Sequence, residues 1–312
     1  MRRFRRSVLG ATLLALILML GACGGSGEDD NDDAGGGGEE PKPALTVGSD
    51  SFAEAQIVGE MYAQVLENAG YEVSRQLDIE SREVRLPAME SGDIDIAPEY
   101  LASLLSVLDP KGTADDPPTA DPVAVGARLE PLLADVGLET LEPSNVVDTN
   151  AFVVTQETAD EHGLATVSDL APVAGDLVLG GPPECPERPF CIPGLKKVYG
   201  VEFGDFESLD YGASVTALEG GEIDVALLFS TDGTIADKGF VVLEDDKGLQ
   251  AADNITPLVR SEIVTPEVVE LLNAVSAELT ADEITELNKR ANVDVEDAAT
   301  LAEEFLTAHG LI

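Results

Sequence analysis

Two aromatic side chains stand at the same place in two copies of one pattern. Residues 90–100 read ESGDIDIAPEY and residues 219–229 read EGGEIDVALLF, so Tyr100 and Phe229 each close a run of Glu, small residue, Gly, acid, Ile, Asp, β-branched residue, Ala and two spacers. Two such rings facing each other would line a cleft, and with aromatics at only 4 % of the chain each ring there carries weight. Other chemistry is thinly supplied. His162 and His309 are the only histidines, which argues against a histidine metal site or general base, although a carboxylate-only cation site stays open. There is no nucleophile elbow, zinc motif or Walker lysine, and GGGG at 35–38 is not followed by Gly-Lys-Ser/Thr. No carboxylate pair singles itself out among 60 acids.

The pattern also says what positions the rings. Gly92 and Gly221 suit the left-handed residue just past a helix, and Ile-Asp-Ile or Ile-Asp-Val alternates with the period of a strand. One such unit in each half of the chain predicts two α/β lobes. Ligands of open α/β sheets bind beyond the carboxyl ends of the strands, which places Tyr100 and Phe229 across a cleft from each other. In the first half, 44–48 reads as a strand and Ser49-Asp50-Ser51 as the cap of a helix beginning near Ala53 and ending at Gly70. Free N–H groups at such a helix start make a polar cleft edge, so Ser49 and Ser51 are candidates there, with ordinary capping as the other reading. A strand over 71–77, a helix over 81–89, a loop over 110–122 and an amphipathic helix over 123–136 follow. The first crossing strand is expected at 139–147 and the return strand at 241–243. From Leu258 onward the chain reads as mostly helical, with helices at 266–279, 281–291 and 295–309.

Sixty acids against 18 bases give a net charge of −42. Nucleic-acid binding needs clustered Lys and Arg and is excluded; attraction to anionic lipid is likewise opposed. Charge of this size is an adaptation to salt or a solubility device. The N-terminus is an address. Basic MRRFRR precedes an apolar run over 8–20 that has the form of a secretory signal rather than a membrane span. Leu20-Gly21-Ala22-Cys23 resembles a bacterial lipobox, so Cys23 is expected to carry lipid after removal of 1–22; a retained anchor is the alternative. Residues 23–43, rich in Gly, Asp and Glu, form a self-repelling tether. Cys185 and Cys191 lie in a Pro-rich loop outside the cytoplasm, where they are expected to form a disulfide. Closing so small a loop contributes about 2 kcal/mol on the chain-entropy argument. Zinc is a poor alternative because no further ligands remain.

The stretches VGSDSFAEAQIVGEMYAQVLENAGYEV, SREVRLPAMESGDIDIAPEY and FSTDGTIADKGFVVLEDDKGLQ resemble the substrate-binding proteins of osmoprotectant ABC importers, the quaternary-ammonium type for glycine betaine, choline and carnitine. The likeness runs from Leu45 to the end of the chain. It implies an α/β, bilobed periplasmic-binding-protein-like fold: two α/β lobes joined by two crossing strands, the ligand cleft between them, and the C-terminal helices packed on the first lobe. Lobe I would span 44–146 plus 248–312 and lobe II 147–247. It further implies a small-molecule ligand and delivery to a permease with its ATPase; with Cys23 lipidated the receptor is expected at the outer face of the membrane, or else in the periplasm, and neither a cofactor nor catalysis is expected.

By the resemblance, Tyr100 matches the tyrosine of Pro-Glu-Tyr, and Phe229 holds the aromatic position before Ser-Thr-Asp-Gly without a hydroxyl. The chain departs elsewhere. Asn150 after Thr149 replaces an expected tyrosine, and a second tyrosine position falls near Ser214 or Val215. Leu101-Ala102-Ser103 stands for Thr-Gly-Thr, and Phe52-Ala53-Glu54-Ala55 for Phe-Thr-Glu-Gln. The site is therefore expected to combine Tyr100 and Phe229 with polar Ser49, Ser51, Ser103, Thr149, Asn150, Ser214 and Thr231, suited also to a bulkier polar or imidazole betaine. Glu54, Asp50 or Glu99 could pair with a cation directly. Tyr211 and Tyr199 could rebuild a cage, with core packing as the expected role of each. An extracytoplasmic enzyme and a sensory binding module are the competing classes.

Overall fold

The computed structural model describes residues 42–115, 119 and 121–312. The segment 1–22, Cys23 and nearly all of the tether lie outside the described residues.

The strands are β1 (Leu45–Asp50), β2 (Val73–Ile79), β3 (Ile96–Tyr100), β4 (Leu138–Thr140), β5 (Asn150–Val154), β6 (Val178–Gly181), β7 (Asp205–Ser208), β8 (Val225–Phe229), β9 (Val241–Val242) and β10 (Ile255–Arg260). They form two sheets, ordered β2-β1-β3-β10-β4 and β7-β6-β8-β5-β9. In each, a central strand lies parallel to two neighbours and one antiparallel strand joins the edge: β1 pairs β2 and β3 in parallel while β10 runs against β3, and β6 pairs β7 and β8 while β5 runs against β8. The two orders are the same order, with β6 standing for β1 and β8 for β3.

The sequence repeat produces this symmetry through three repeated contacts. Gly92 and Gly221 end their helices with φ of 86° and 68°, a region that favours glycine over residues with a Cβ. Asp95 and Asp224 then do one job: each donates its backbone N–H to a carbonyl, of Thr46 and Val178, and accepts on its carboxylate from the N–H of that same residue, both at 2.8 Å. Finally, Ile94 and Ile223 press on Gly48 and Gly180. A Cβ at these glycines would lie 2.8 and 2.4 Å from the isoleucine Cδ1, so only glycine lets the strand pass beneath.

Two segments cross between the sheets side by side. Val147 bridges Asn254 in antiparallel fashion, and Asp148 N–H donates to the Asp253 carbonyl at 3.0 Å. The crossing is longer and less regular than expected. Only Leu138–Thr140 of the first segment is strand, and Val241–Val242 is an edge strand of the second sheet rather than the return itself. Two other expectations fail. Pro110–Asp115 is a short helix instead of loop, and Ile255–Arg260 is a fully paired strand between β3 and β4, not the start of the helical tail. Pro257 disguised it, since proline in a run argues against an interior strand. Here Pro257 faces Pro98, and its carbonyl still accepts from Leu141 N–H at 2.9 Å.

The helices Pro266–Glu278, Ala281–Asn292 and Ala298–Ala308 pack on the first lobe, where Val268, Leu272, Leu301 and Phe305 join Ile57, Val58 and Met61 of helix Ala53–Asn68 in one core. The second lobe has its own core around Phe152, Leu179, Leu195 and Val225.

A ligand cleft between the lobes

The ends of β3 and β8 open on a cleft of about 1230 Å³. Three rings converge there. Phe52, the residue before helix Ala53–Asn68, lies 5.9 Å from Tyr100 and 5.2 Å from Phe229, centroid to centroid, at tilts of 36° and 33°. Tyr100 is buried, and the two phenylalanines are half-buried at the cleft wall. Rings from both lobes therefore pack together at the cleft, with Phe52 touching both Tyr100 and Phe229, and ring faces of this kind attract cations. Tyr211 also lines the cleft; its hydroxyl bonds to Asp232 and, at 3.1 Å, to Thr234.

The cleft is also lined by the loop pinned by the Cys185–Cys191 disulfide, whose Cα atoms are 5.3 Å apart. It presents Phe190 and Arg188 toward the first lobe. Phe190 packs on Ala102 and Ala251, its carbonyl accepts from Asn150 Nδ2 at 3.2 Å and Gln250 Nε2 at 3.0 Å, and Arg188 reaches Glu83 at 2.7 Å.

Beneath the rings lies an acidic floor. Glu54, 3 % exposed, accepts from Tyr100 Oη at 2.8 Å, Thr231 Oγ1 at 2.6 Å and Asn288 Nδ2 at 2.8 Å. Burial pushes its carboxyl upward; the three donors oppose this, and the nearby charge of Asp232 adds to it. Asp148 accepts from Ser230 Oγ and Thr231 N–H, both at 3.2 Å, and is driven well up by burial and then by the charge of Glu54. Asp253 binds Ser103 through N–H at 2.9 Å and hydroxyl at 2.5 Å, and burial raises it to about 6 despite those bonds and Arg82. Asn288 Oδ1, buried in the same floor, has no partner among the described residues.

The arginines of the first lobe are committed elsewhere. Arg85, fully buried, bonds to Asp50 at 2.9 Å and Glu99 at 3.0 Å, and Arg82 bonds to Glu99 at 2.6 Å. Burial alone would raise Glu99, but the two guanidiniums win and hold it at about 2. Of the three acids expected to be able to pair with a ligand cation, Asp50 and Glu99 are thus neutralised inside the protein. Glu54 alone of the three has no basic partner among the described residues.

Tyr100, Phe229, Asn150, Ser51, Ser103, Thr149 and Ser214 line the cleft, and Glu54 and Thr231 line its floor. Ser49 does not: it is fully buried behind the cleft edge and donates to the Asp50 carbonyl at 3.1 Å. Asn150 has its amide nitrogen engaged by Phe190, and Ser103 has its hydroxyl engaged by Asp253, which reduces the hydrogen bonding expected of both. Tyr199 packs in the second core, as expected, with its hydroxyl on Asp245. Tyr211 does both: it packs against the cluster of Val153, Val215 and Leu228 and also lines the cleft. Sequence reasoning placed neither Phe52 nor Asp148 in the site, and it foresaw the Cys185–Cys191 disulfide without its place at the cleft; a ring between a Ser-Asp-Ser cap and a helix start was the available sign of the first.

Two matched α/β lobes, antiparallel crossing segments and a ligand-sized cleft at the strand ends define a bilobed solute-binding receptor. The sequence profile described as the substrate-binding domain of ABC-type glycine betaine transport systems matches residues 43–308. The chain belongs to this family, and is an extracytoplasmic receptor of an ABC importer rather than an enzyme. It is 30 % identical over 284 residues to the glycine-betaine-binding protein of Pseudomonas aeruginosa, covering 86 % of this chain and 88 % of that protein. It is 28 % identical over 270 residues to the carnitine transport binding protein OpuCC of Listeria monocytogenes, covering 85 % and 86 %. A crystal structure of a glycine betaine/carnitine/choline ABC transporter component superposes with a TM-score of 0.65 at 28 % identity, over 86 % of this chain and 99 % of that one. Among the described residues no helix is long and apolar enough to cross a membrane.

Proposed function

We propose that this receptor captures a small quaternary-ammonium solute of the glycine betaine, choline or carnitine type and delivers it to its permease, held near the membrane by lipid on Cys23. The observation that carries the reading is the placement of Phe52, Tyr100 and Phe229 over Glu54, a buried carboxylate with no arginine. A trimethylammonium group has no proton to donate, so ring faces and unpaired negative charge are the groups that hold it. Each ring contributes roughly 0.5–2 kcal/mol. Arg82 and Arg188 also line the cleft, already paired with Glu99 and Glu83. Lobe I is taken as 44–146 with 248–312, and lobe II as 147–247, so that Tyr100 and Phe229 come from different lobes.

Calorimetric titration of the domain from Pro41 onward with glycine betaine, choline, carnitine and a bulkier imidazole betaine tests this. One-to-one binding of a simple quaternary ammonium, weakened about 2- to 30-fold in Phe52→Ala and in Tyr100→Ala, is the expected result. Binding of the imidazole betaine alone would move the substrate to the bulkier class, and silence from all four would overturn the reading. For the anchor, Cys23→Ala should move the protein from the membrane fraction to the soluble one.

A further inference from the structure

The floor of the cleft holds two carboxyl groups that cannot both be charged at low cost. Glu54 and Asp148 are joined through one residue: Thr231 donates its hydroxyl to Glu54 Oε2 at 2.6 Å and its N–H to Asp148 Oδ1 at 3.2 Å. They are 3 % and 4 % exposed. Among the described residues neither takes part in an ion pair. Other elements facing them bring no compensating charge. Helix Ala281–Asn292 offers the amide of Asn288, the turn after β8 brings Asp232, the return segment brings Asp253, and β3 brings the Tyr100 hydroxyl. Tyr211 is bound to Asp232, while Arg82 and Arg85 are bound to Glu99 and Asp50. The cleft as a whole deepens the imbalance, with ten acidic side chains lining it against two arginines.

Like charges in a shared buried site do not ionise together. We infer that Glu54 and Asp148 hold one proton between them in the ligand-free receptor, and that a cationic head seated on the rings takes its place, so that binding exchanges a proton for a cation. The proton leaves to solvent through the cleft, which Asp148 lines; no covalent bond to the ligand forms. This rests on the ligand reading above and adds its regulation: affinity depends on pH, and the site favours solutes carrying net positive charge, such as choline, over neutral zwitterions. The sign follows from the exchange. Both carboxyls are displaced upward from the ordinary range when the cleft has no cation, and a bound cation pulls them down. Affinity therefore rises with pH between the bound-state and free-state values, by up to tenfold per unit for one proton, and is flat outside that window.

The test is calorimetry of choline binding to the intact mature receptor in two buffers of different ionisation enthalpy, scanned over roughly pH 5–8, above the ordinary carboxylate range. The expected result is an apparent heat that depends on the buffer, with release approaching one proton per choline. Asp148→Asn should bind more weakly and with buffer-independent heat. Equal heats in both buffers across the scan, with choline bound, overturn the proton exchange while leaving the ligand reading intact. Buffer dependence that survives Asp148→Asn and Glu54→Gln but disappears in Asp253→Asn assigns the proton to Asp253 and also overturns it. If choline and glycine betaine both fail to bind at every pH, the ligand reading itself has failed.

Discussion

Glu54→Gln should weaken ligand binding and strengthen the fold, and the two effects can be sized from the same geometry. A cation on the Tyr100 ring lies within about 6 Å of its centroid, and the phenol oxygen is 2.8 Å from Glu54 Oε1. The cation–carboxylate separation is then about 7 Å, and at an effective dielectric of about 20 the attraction is roughly 2.4 kcal/mol. Allowing for partial protonation of the free carboxyl brings this to about 2 kcal/mol, or about 30-fold in Kd. The amide fits where the acid was. Its oxygen still accepts from Tyr100, and its NH2 meets Asn288 Oδ1, the acceptor left without a partner, once the Asn288 amide turns over. The turned Asn288 oxygen then faces the Thr231 carbonyl that its amide bonded at 3.1 Å, and Thr231 Oγ1, which donated to Glu54 at 2.6 Å, must accept instead; removal of the buried charge outweighs these exchanges, so Tm should rise slightly.

The pH dependence of stability has a definite sign. Glu54 folded has a raised pKa, so the native state binds more protons than the unfolded chain between the ordinary carboxylate value and the raised one. Stability thus falls as pH rises through that window, and Glu54→Gln flattens this limb. Titration calorimetry and thermal denaturation across pH measure both effects. Affinity within threefold of wild type would refute the charge argument, and a lowered Tm at neutral pH would refute the burial argument.

Four further outcomes follow from named contacts. Arg85→Met leaves Asp50 and Glu99 facing each other with half their compensation gone, and should cost about 3–5 kcal/mol in denaturant unfolding. Gly233→Ala drives a Cβ to 2.5 Å from Lys289 Cβ and 2.8 Å from the Thr285 carbonyl. It should cost about 1–3 kcal/mol and lower ligand affinity, because this is where the turn after β8 docks on helix Ala281–Asn292; Gly126→Ala, with nothing within 4 Å, should instead stabilise slightly. His309 is raised because Glu283 and Glu278 outweigh its burial. Its contribution is full below the unfolded value near 6.5 and is lost as pH rises through the folded one, so His309→Gln should lower Tm more at acidic than at alkaline pH. Mass analysis of the unreduced protein should find Cys185 joined to Cys191, and reduction should weaken binding by freeing Phe190 and Arg188; two free thiols in the unreduced protein would refute the first.

The lobes were legible because their defining contacts are short in sequence. Gly92 and Gly221, Ile94 and Ile223, Asp95 and Asp224 each sit within one helix–turn–strand unit, so a pattern match reads them directly. The partners that make the pattern necessary, Gly48 and Gly180, lie on strands distant in sequence. Nothing local shows that an isoleucine will close on them. β10 failed for the opposite reason: Pro257 gave a strong local signal against an interior strand, and pairing on both sides of Ile255–Arg260 overrode it.

The binding floor was hidden by abundance. Among 60 acids no property of Glu54 or Asp148 separates them from solvated neighbours, and Asp50 and Glu99 looked equally ready to meet a ligand. The scarce partner carries the information. Arg82 and Arg85 are three apart on one helix face, in a chain with only 18 bases. Two arginines turned inward from helix Arg82–Ser91 must find carboxylates, and they claim Asp50 and Glu99. In so acidic a protein, following the bases inward identifies the acids that serve the fold. A buried carboxylate beyond their reach, such as Glu54 beneath three rings, has no compensation from the fold, and a cationic ligand supplies it.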